Sequence, residues 1–454
     1  MFKLIKSLLL ILVLAFFFSC EDRTDLAEPE APNLGSADFS RFFTLGNSLT
    51  SGYQNGSLYE SAQDYSIGNQ ISRQVRMSDF AQPTVSGSGA GARVELQGFN
   101  ENGDPILVKN MNYGPPTNLN YAGVYNNLGI PGAMLYDVLN ATNQNNCASA
   151  LFAATPNPYF DLVLRNQGSQ FSQLKMANPT ILNLWIGNND ILGHALHGGT
   201  IMYTPISQFN GLYNNLADSV ATLGCDVFVA NIPDVTSIAY FTALNKKISD
   251  KLELAASANQ YIQGIYVGKF DGTTTNATPY NYEDVDSMKV LFLLEGSEHL
   301  AHLGEPGYQE QYKNSDGSYS IPEGVNVSSA FGFTPSNPFP DHLALDAIEI
   351  SNIKETVLGY NNKISEICEE YGFTLVDVNA LMNDVSDGGY LMNGINYTQD
   401  FITGNLFSLD GVHPTSRGYG VVANEFIKKY NEKFNAEIPL INTALIPGSI
   451  PLAE

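Results

Sequence analysis

Short apolar runs bounded by turn residues recur along the chain, separated by segments in which apolar side chains return every three or four positions. Residues 41–46 (RFFTLG), 122–129 (AGVYNNLG), 180–187 (TILNLWIG), 225–232 (CDVFVANI) and 373–378 (FTLVDV) are the five runs. Runs of this length predict strands buried on both faces. Between them, residues 209–223 carry a stripe of Leu212, Leu216, Val220 and Leu223, and residues 348–371 one of Ile353, Val357, Ile364 and Ile367. Both spacings predict helices with one apolar face, and residues 418–434 predict a last one. Strands alternating with helices predict a mostly parallel sheet covered by helices on both faces.

Two long stretches interrupt this alternation. Residues 54–120 are rich in Gly, Ser, Asn and Gln, and residues 235–341 mix aromatics with turn signals such as NSDG at 314–317. Connections this long are functional or carry substructure of their own. SGSGAGA at 86–92 places glycine at alternate positions. No strand–helix unit of the dinucleotide-binding kind surrounds it, so a flexible loop is expected there rather than a phosphate cradle.

Composition narrows the class. With 454 residues and 44% hydrophobic content, the chain can bury a real core, which excludes disorder for most of it. Its 46 acidic side chains outnumber 22 basic ones, a net charge of −24, and such a surface repels phosphate backbones, so no nucleic-acid partner is expected. Cys147, Cys225 and Cys368 are read as small buried hydrophobes rather than a disulfide framework. At the N-terminus, Lys3 and Lys6 precede the apolar run 8–18, too short to span a bilayer but suited to a signal peptide. The run ends in Phe-Ser-Cys, which resembles a bacterial lipobox. That resemblance implies a signal peptide over residues 1–19 and lipidation at Cys20. It places the protein in the cell envelope, anchored to the bacterial membrane, expected to be the outer one. The alternative is an ordinary secretory signal with an incidental cysteine. Residues 20–38, acidic and Pro-containing, read as a tether, and residues 437–454 as a C-terminal tail.

Candidate chemistry sits at two ends of the chain. The first run leads into GNSLTSG at 46–52, so Ser48 stands just past a strand end, where open α/β sheets bind ligands. Far downstream, SLDGVHP at 408–414 sets Asp410 three residues before His413. A histidine that takes a serine's proton needs a carboxylate to fix its tautomer and stabilise its charged form. Helix capping is the competing reading for both segments: Ser48 as a cap, and Asp410 capping a helix that has Pro414 early in it.

GNSLTSGY at 46–53 is similar to the GDSL block of the SGNH hydrolase superfamily, and DGVH at 410–413 resembles its terminal Asp-x-x-His block. GIPG at 129–132 and GNND at 187–190 resemble its two intervening blocks, in the expected order. The resemblance covers roughly residues 39–61, 121–234 and 342–435, and implies one hydrolase domain over 39–436 with insertions at about 54–120 and 235–341. It implies a three-layer α/β/α sandwich on a five-stranded, flavodoxin-like sheet. It also implies a serine esterase or lipase of the GDSL type, acting on carboxylic esters through an acyl-enzyme, without metal or cofactor. Ser48 would be the nucleophile, His413 the base and then acid, and Asp410 its orienter. The oxyanion hole would combine the N–H groups of Ser48 and Gly132 with the Asn189 amide. Asn47 departs from the family's usual aspartate, which puts the support of the Ser48 turn in question. Carbohydrate O-deacetylation, thioester or peptide acyl transfer, and a glycan- or lipid-binding lipoprotein without turnover stand as alternatives.

Overall fold

The computed structural model describes residues 31–453 except 102, 271–274, 315 and 449. The signal segment, Cys20 and the tether up to residue 30 lie outside the described residues. Five strands, β1 (Phe42–Gly46), β2 (Asn127–Gly129), β3 (Ile181–Trp185), β4 (Asp226–Ala230) and β5 (Thr374–Val376), form one sheet in the order β5–β4–β3–β1–β2. Every neighbouring pair is parallel. β1 and β3 are buried at each position, which is why they read as mainly apolar runs, broken only by the buried Thr44 and Asn183, rather than alternating ones. β2 is shorter than its run. Asn126 bonds to Ala81 through its backbone N–H and side-chain oxygen while its carbonyl accepts from Thr44 N–H (2.8 Å), and the register with β1 opens at Asn127.

Helices α1 (Ser48–Ser51), α2 (Ile67–Gln74), α3 (Asn189–Leu196), α4 (Ile206–Ala221), α5 (Asn245–Ala258), α6 (Ala347–Tyr371) and α7 (Ser416–Phe434) supply most of the surrounding layers. α2 packs on α7, and α4 on α6, completing an α/β/α sandwich. α4 buries Phe209, Tyr213, Leu216 and Val220. The expected stripe faces the core, with Leu212 and Leu223 packed partly against it, and Phe209 extends that face by stacking on Tyr360 of α6 at 3.7 Å. α6 begins at a capping box, Asp346 with Glu349, and ends at Gly372; each device satisfies backbone groups that a helix end leaves without partners.

The insertions are built, not loose. The first contains α2 and an antiparallel hairpin, Arg93–Phe99 with Pro105–Asn110, bulged between Leu96 and Gly98. Its glycine-rich stretch is packed rather than free. Leu58 and Ala90 pair as a bridge, and a Cβ on Gly89 would lie 2.3 Å from the Leu58 carbonyl oxygen, so glycine is there for close backbone approach. The second insertion has its own small core, including Ile248, Phe292, Phe331 and Phe339. The tail also docks: Leu96 donates its N–H to Pro451 O (2.8 Å), and Ala453 returns a bond to Leu96 O (3.0 Å). At the other end, Ser36 N–H bonds to Phe434 O (3.0 Å), so the end of the acidic segment lies against α7. Cys147 and Cys368 are buried and Cys225 half-buried, all three unbridged.

Candidate functional site

The sheet order decides where the candidate residues meet. β2, β1 and β3 are adjacent and parallel, and each releases one candidate within a few residues of its C-terminal end: Gly132, Ser48 and Asn189. The chain leaves β1 toward β2 on one side while β3 lies on the other, so Ser48 and Asn189 flank a topological switch point, the place where open α/β sheets form crevices.

α1 starts at Ser48, and its cap is Asn47, whose Oδ1 accepts from Leu49 N–H at 3.0 Å. Ser48 is therefore not the capping residue, and its hydroxyl is left for another partner. That partner is His413: Nε2 lies 2.9 Å from Ser48 Oγ. His413 Nδ1 lies 3.0 Å from Asp410 Oδ2. The competing helix-cap role for Asp410 falls to Thr415, which accepts from Gly418 N–H at the start of α7. Asp410 instead closes its own turn. Its Oδ1 accepts the N–H groups of Val412 (2.9 Å) and His413 (2.8 Å), and its Oδ2 that of Gly56 (2.7 Å). Burial alone would raise the Asp410 carboxyl. The His413 imidazole and these backbone donors outweigh it and hold the group below the usual carboxylate range, so it stays charged.

The rest of the turn is bolted to the segment after α1. Asn55 donates its N–H to Ser408 Oγ and accepts from Leu409 N–H, both at 2.9 Å. Tyr53 lies against the imidazole, ring centroids 4.8 Å apart, and its hydroxyl donates to Gly56 O (2.5 Å). Burial pushes that hydroxyl far above the ordinary tyrosine range, which keeps it neutral beside the pair.

Gly132 and Asn189 line the same cleft as Ser48 and His413. Gly132 has φ +79°, and a Cβ there would sit 2.9 Å from Asn157 Nδ2, so a side chain would be both strained and crowded. Asn189 Nδ2 donates one hydrogen to Ala133 O (2.8 Å), and an amide nitrogen has a second to offer. Behind this loop stand two carboxylates that the sequence did not mark as buried. Asp190 accepts from Leu135 N–H (2.9 Å) and Thr204 Oγ1 (2.8 Å). Asp137 accepts from Met134 N–H (2.8 Å) and Ala148 N–H (2.7 Å). Burial raises Asp137 to about 6. Asp190, also repelled by Asp137, is raised to about 7.

Above the site opens a cleft of about 2190 Å³, walled by both insertions, where apolar side chains such as Phe99, Leu107, Leu196 and Phe401 are interleaved with charged and amide ones such as Lys109, Glu295 and Asn157. Lys247 of α5 meets Asp104 at the hairpin tip, 2.5 Å apart, across its outer edge. The arrangement has a hydroxyl, a base hydrogen-bonded to it, a charged orienter for the base, and donors from a neighbouring loop. Chemically it is equipped to abstract the hydroxyl proton and to stabilise an oxyanion.

No family model matches the chain, and no curated protein does. Among solved structures it is similar to LAE5, an alpha/beta hydrolase enzyme from the metagenome of Lake Arreo, Spain. That alignment has 12% identity and a TM-score of 0.36, and covers 87% of this chain and 96% of that one. A second solved structure aligns at 11% identity and a TM-score of 0.32, over 86% of this chain and 95% of its own.

Proposed function

We propose that the protein is a serine ester hydrolase of the SGNH type, cleaving carboxylic esters through an acyl-enzyme on Ser48. The observation that carries this reading is the unbroken relay from Ser48 Oγ to His413 Nε2 (2.9 Å) and from His413 Nδ1 to Asp410 Oδ2 (3.0 Å). A β5–β4–β3–β1–β2 sheet with its candidates at the carboxyl ends of adjacent strands supports it further.

Ser48 Oγ attacks the ester carbonyl while His413 takes its proton. Asp410 holds the imidazole with Nδ1 protonated and stabilises the imidazolium. Negative charge forming on the carbonyl oxygen is met by the backbone N–H groups of Ser48 and Gly132 and the spare hydrogen of Asn189 Nδ2. His413 then gives its proton to the departing alcohol. Water, deprotonated in turn by His413, releases the acid and restores Ser48.

Apolar side chains of the cleft such as Leu107, Leu196 and Leu300 give the hydrocarbon parts of an ester a place to lie. The reading without turnover draws on Asn47 and on the two long insertions. That residue keeps the capping oxygen that an aspartate would provide, so it gives no reason to expect a silent site. A fluorophosphonate probe should label the wild type and leave Ser48→Ala unlabelled, with ester turnover lower by at least about a thousandfold in the variant. Equal labelling of both proteins would sink the proposal.

A further inference from the structure

A strained residue forms part of the wall that carries His413. Ile402 has φ +68°, a region that β-branched side chains avoid. Thr403 N–H bonds back to Phe401 O at 2.8 Å across it, the tight three-residue turn that is rare because of its strain. The surrounding loop is clamped: Thr398 N–H bonds to Gly404 O and Gly404 N–H to Asp400 O, both at 2.9 Å, and Thr398 Oγ1 donates to Asp400 Oδ2 at 2.7 Å. Strain of this kind persists where the neighbouring structure over-determines it, and it gathers at binding sites.

Neither hydrophobic core accounts for the strain. Phe401 next to it packs on the main core, whereas Ile402 belongs to neither core among the described residues. It is half-buried, and it lines the cleft together with Leu409, Val412 and His413. Under the proposed reaction, the carbonyl oxygen points to Gly132 and Asn189, and the alcohol leaves toward the imidazole that protonates it. The wall bearing His413 therefore faces the alcohol half of the ester.

We infer that Ile402 is a specificity-determining residue, held in the cleft to contact an apolar alcohol chain of the substrate. This rests on the ester-hydrolase reading. The test compares two ester series by acid release: butyrates of methanol through octanol, and methyl esters of acetate through decanoate. The wild type should favour longer alcohols. Ile402→Gly and Ile402→Asn both suit positive φ, and both should lose roughly tenfold in kcat/KM on the octyl ester while methyl esters of every acid change little. Ile402→Gly should melt no lower than the wild type, since it relieves the strain. An alcohol-chain preference that survives both substitutions overturns the inference, and so does a loss confined to the acyl series. A wild type without turnover on any ester overturns the hydrolase reading itself.

Discussion

Two loops meet at Ser48, and buried carboxylates hold both, yet they do so in opposite electrostatic states. On the His413 side, Asp410 faces an imidazole and three backbone N–H groups, and its carboxyl lies below the ordinary range. On the Gly132 side, Asp137 and Asp190 are bonded only to neutral donors and repel one another, and theirs are raised to about 6 and about 7. A buried charge is tolerated where it meets a group able to become its counter-ion, and resisted where only dipoles meet it. The first loop is therefore arranged to use its charge, and the second is held mainly by shape and hydrogen bonds.

Removing the charge that is used should have the largest effect. Asp410→Asn keeps an oxygen for the Val412 and His413 N–H groups but turns an NH2 toward both His413 Nδ1 and the Gly56 N–H. Turnover should fall by on the order of a thousandfold or more, with a modest drop in melting temperature at pH 7 as the Gly56 N–H loses its acceptor. Steady-state hydrolysis beside a thermal melt checks this. A large loss of stability with modest loss of turnover would move Asp410 from the reaction to the scaffold.

The second loop should answer to pH. Asp137 and Asp190 have folded-state values above the unfolded 3.8, so between about pH 4 and 7 the native state binds more protons than the unfolded chain. Their contribution to stability is complete below that window and is lost as pH rises through it. For Asp190 alone the loss is of the order of 4 kcal/mol. Asp410, shifted the other way, acts only below pH 4, so the two sides separate along the pH axis. Asp190→Asn can still accept from Leu135 and can donate to Thr204. It should flatten the fall in melting temperature between pH 5 and 8 and raise stability at pH 8, with turnover within about tenfold of wild type. Parallel melting curves for the two proteins across that range would show that Asp190 does not titrate there.

The contrast also shows what a sequence can disclose. β1, β3 and β4 are legible because a strand covered on both faces must be mainly apolar, and α6 because its stripe runs over many turns. The ordered blocks around Ser48, Gly132, Asn189 and His413 are legible as motifs, since the first three each follow a strand end and the last sets a carboxylate three residues before a histidine. Asp190 was in plain view within GNND, but aspartate is ordinarily exposed, and only the fold puts it behind the loop at 1% exposure. Ile402 gives no signal at all, because positive φ is read from Gly or Asn. SGSGAGA misleads for the converse reason: glycine that permits close packing looks the same as glycine that permits motion.

The mildest expected effect concerns the turn shared by both loops. Asn47 is fully buried; its Oδ1 caps α1 and its Nδ2 donates to Asn188 Oδ1 at 3.1 Å. Asn188 Nδ2 finds no acceptor among the described residues. In Asn47→Asp the cap survives, and the Asn188 amide can rotate so that this unpaired nitrogen donates to the new carboxylate. The added cost of a buried charge is then offset by a hydrogen bond gained, and stability should change by no more than about 1 kcal/mol, with turnover within a few-fold. Asn188→Ala removes that rescue. The double variant Asn47→Asp/Asn188→Ala should lose clearly more stability than the sum of the two single changes, as chemical denaturation of all four proteins would measure. Strict additivity would mean that Asn188 plays no part in making position 47 tolerant of either residue, and that the turn at Ser48 is set by the cap alone.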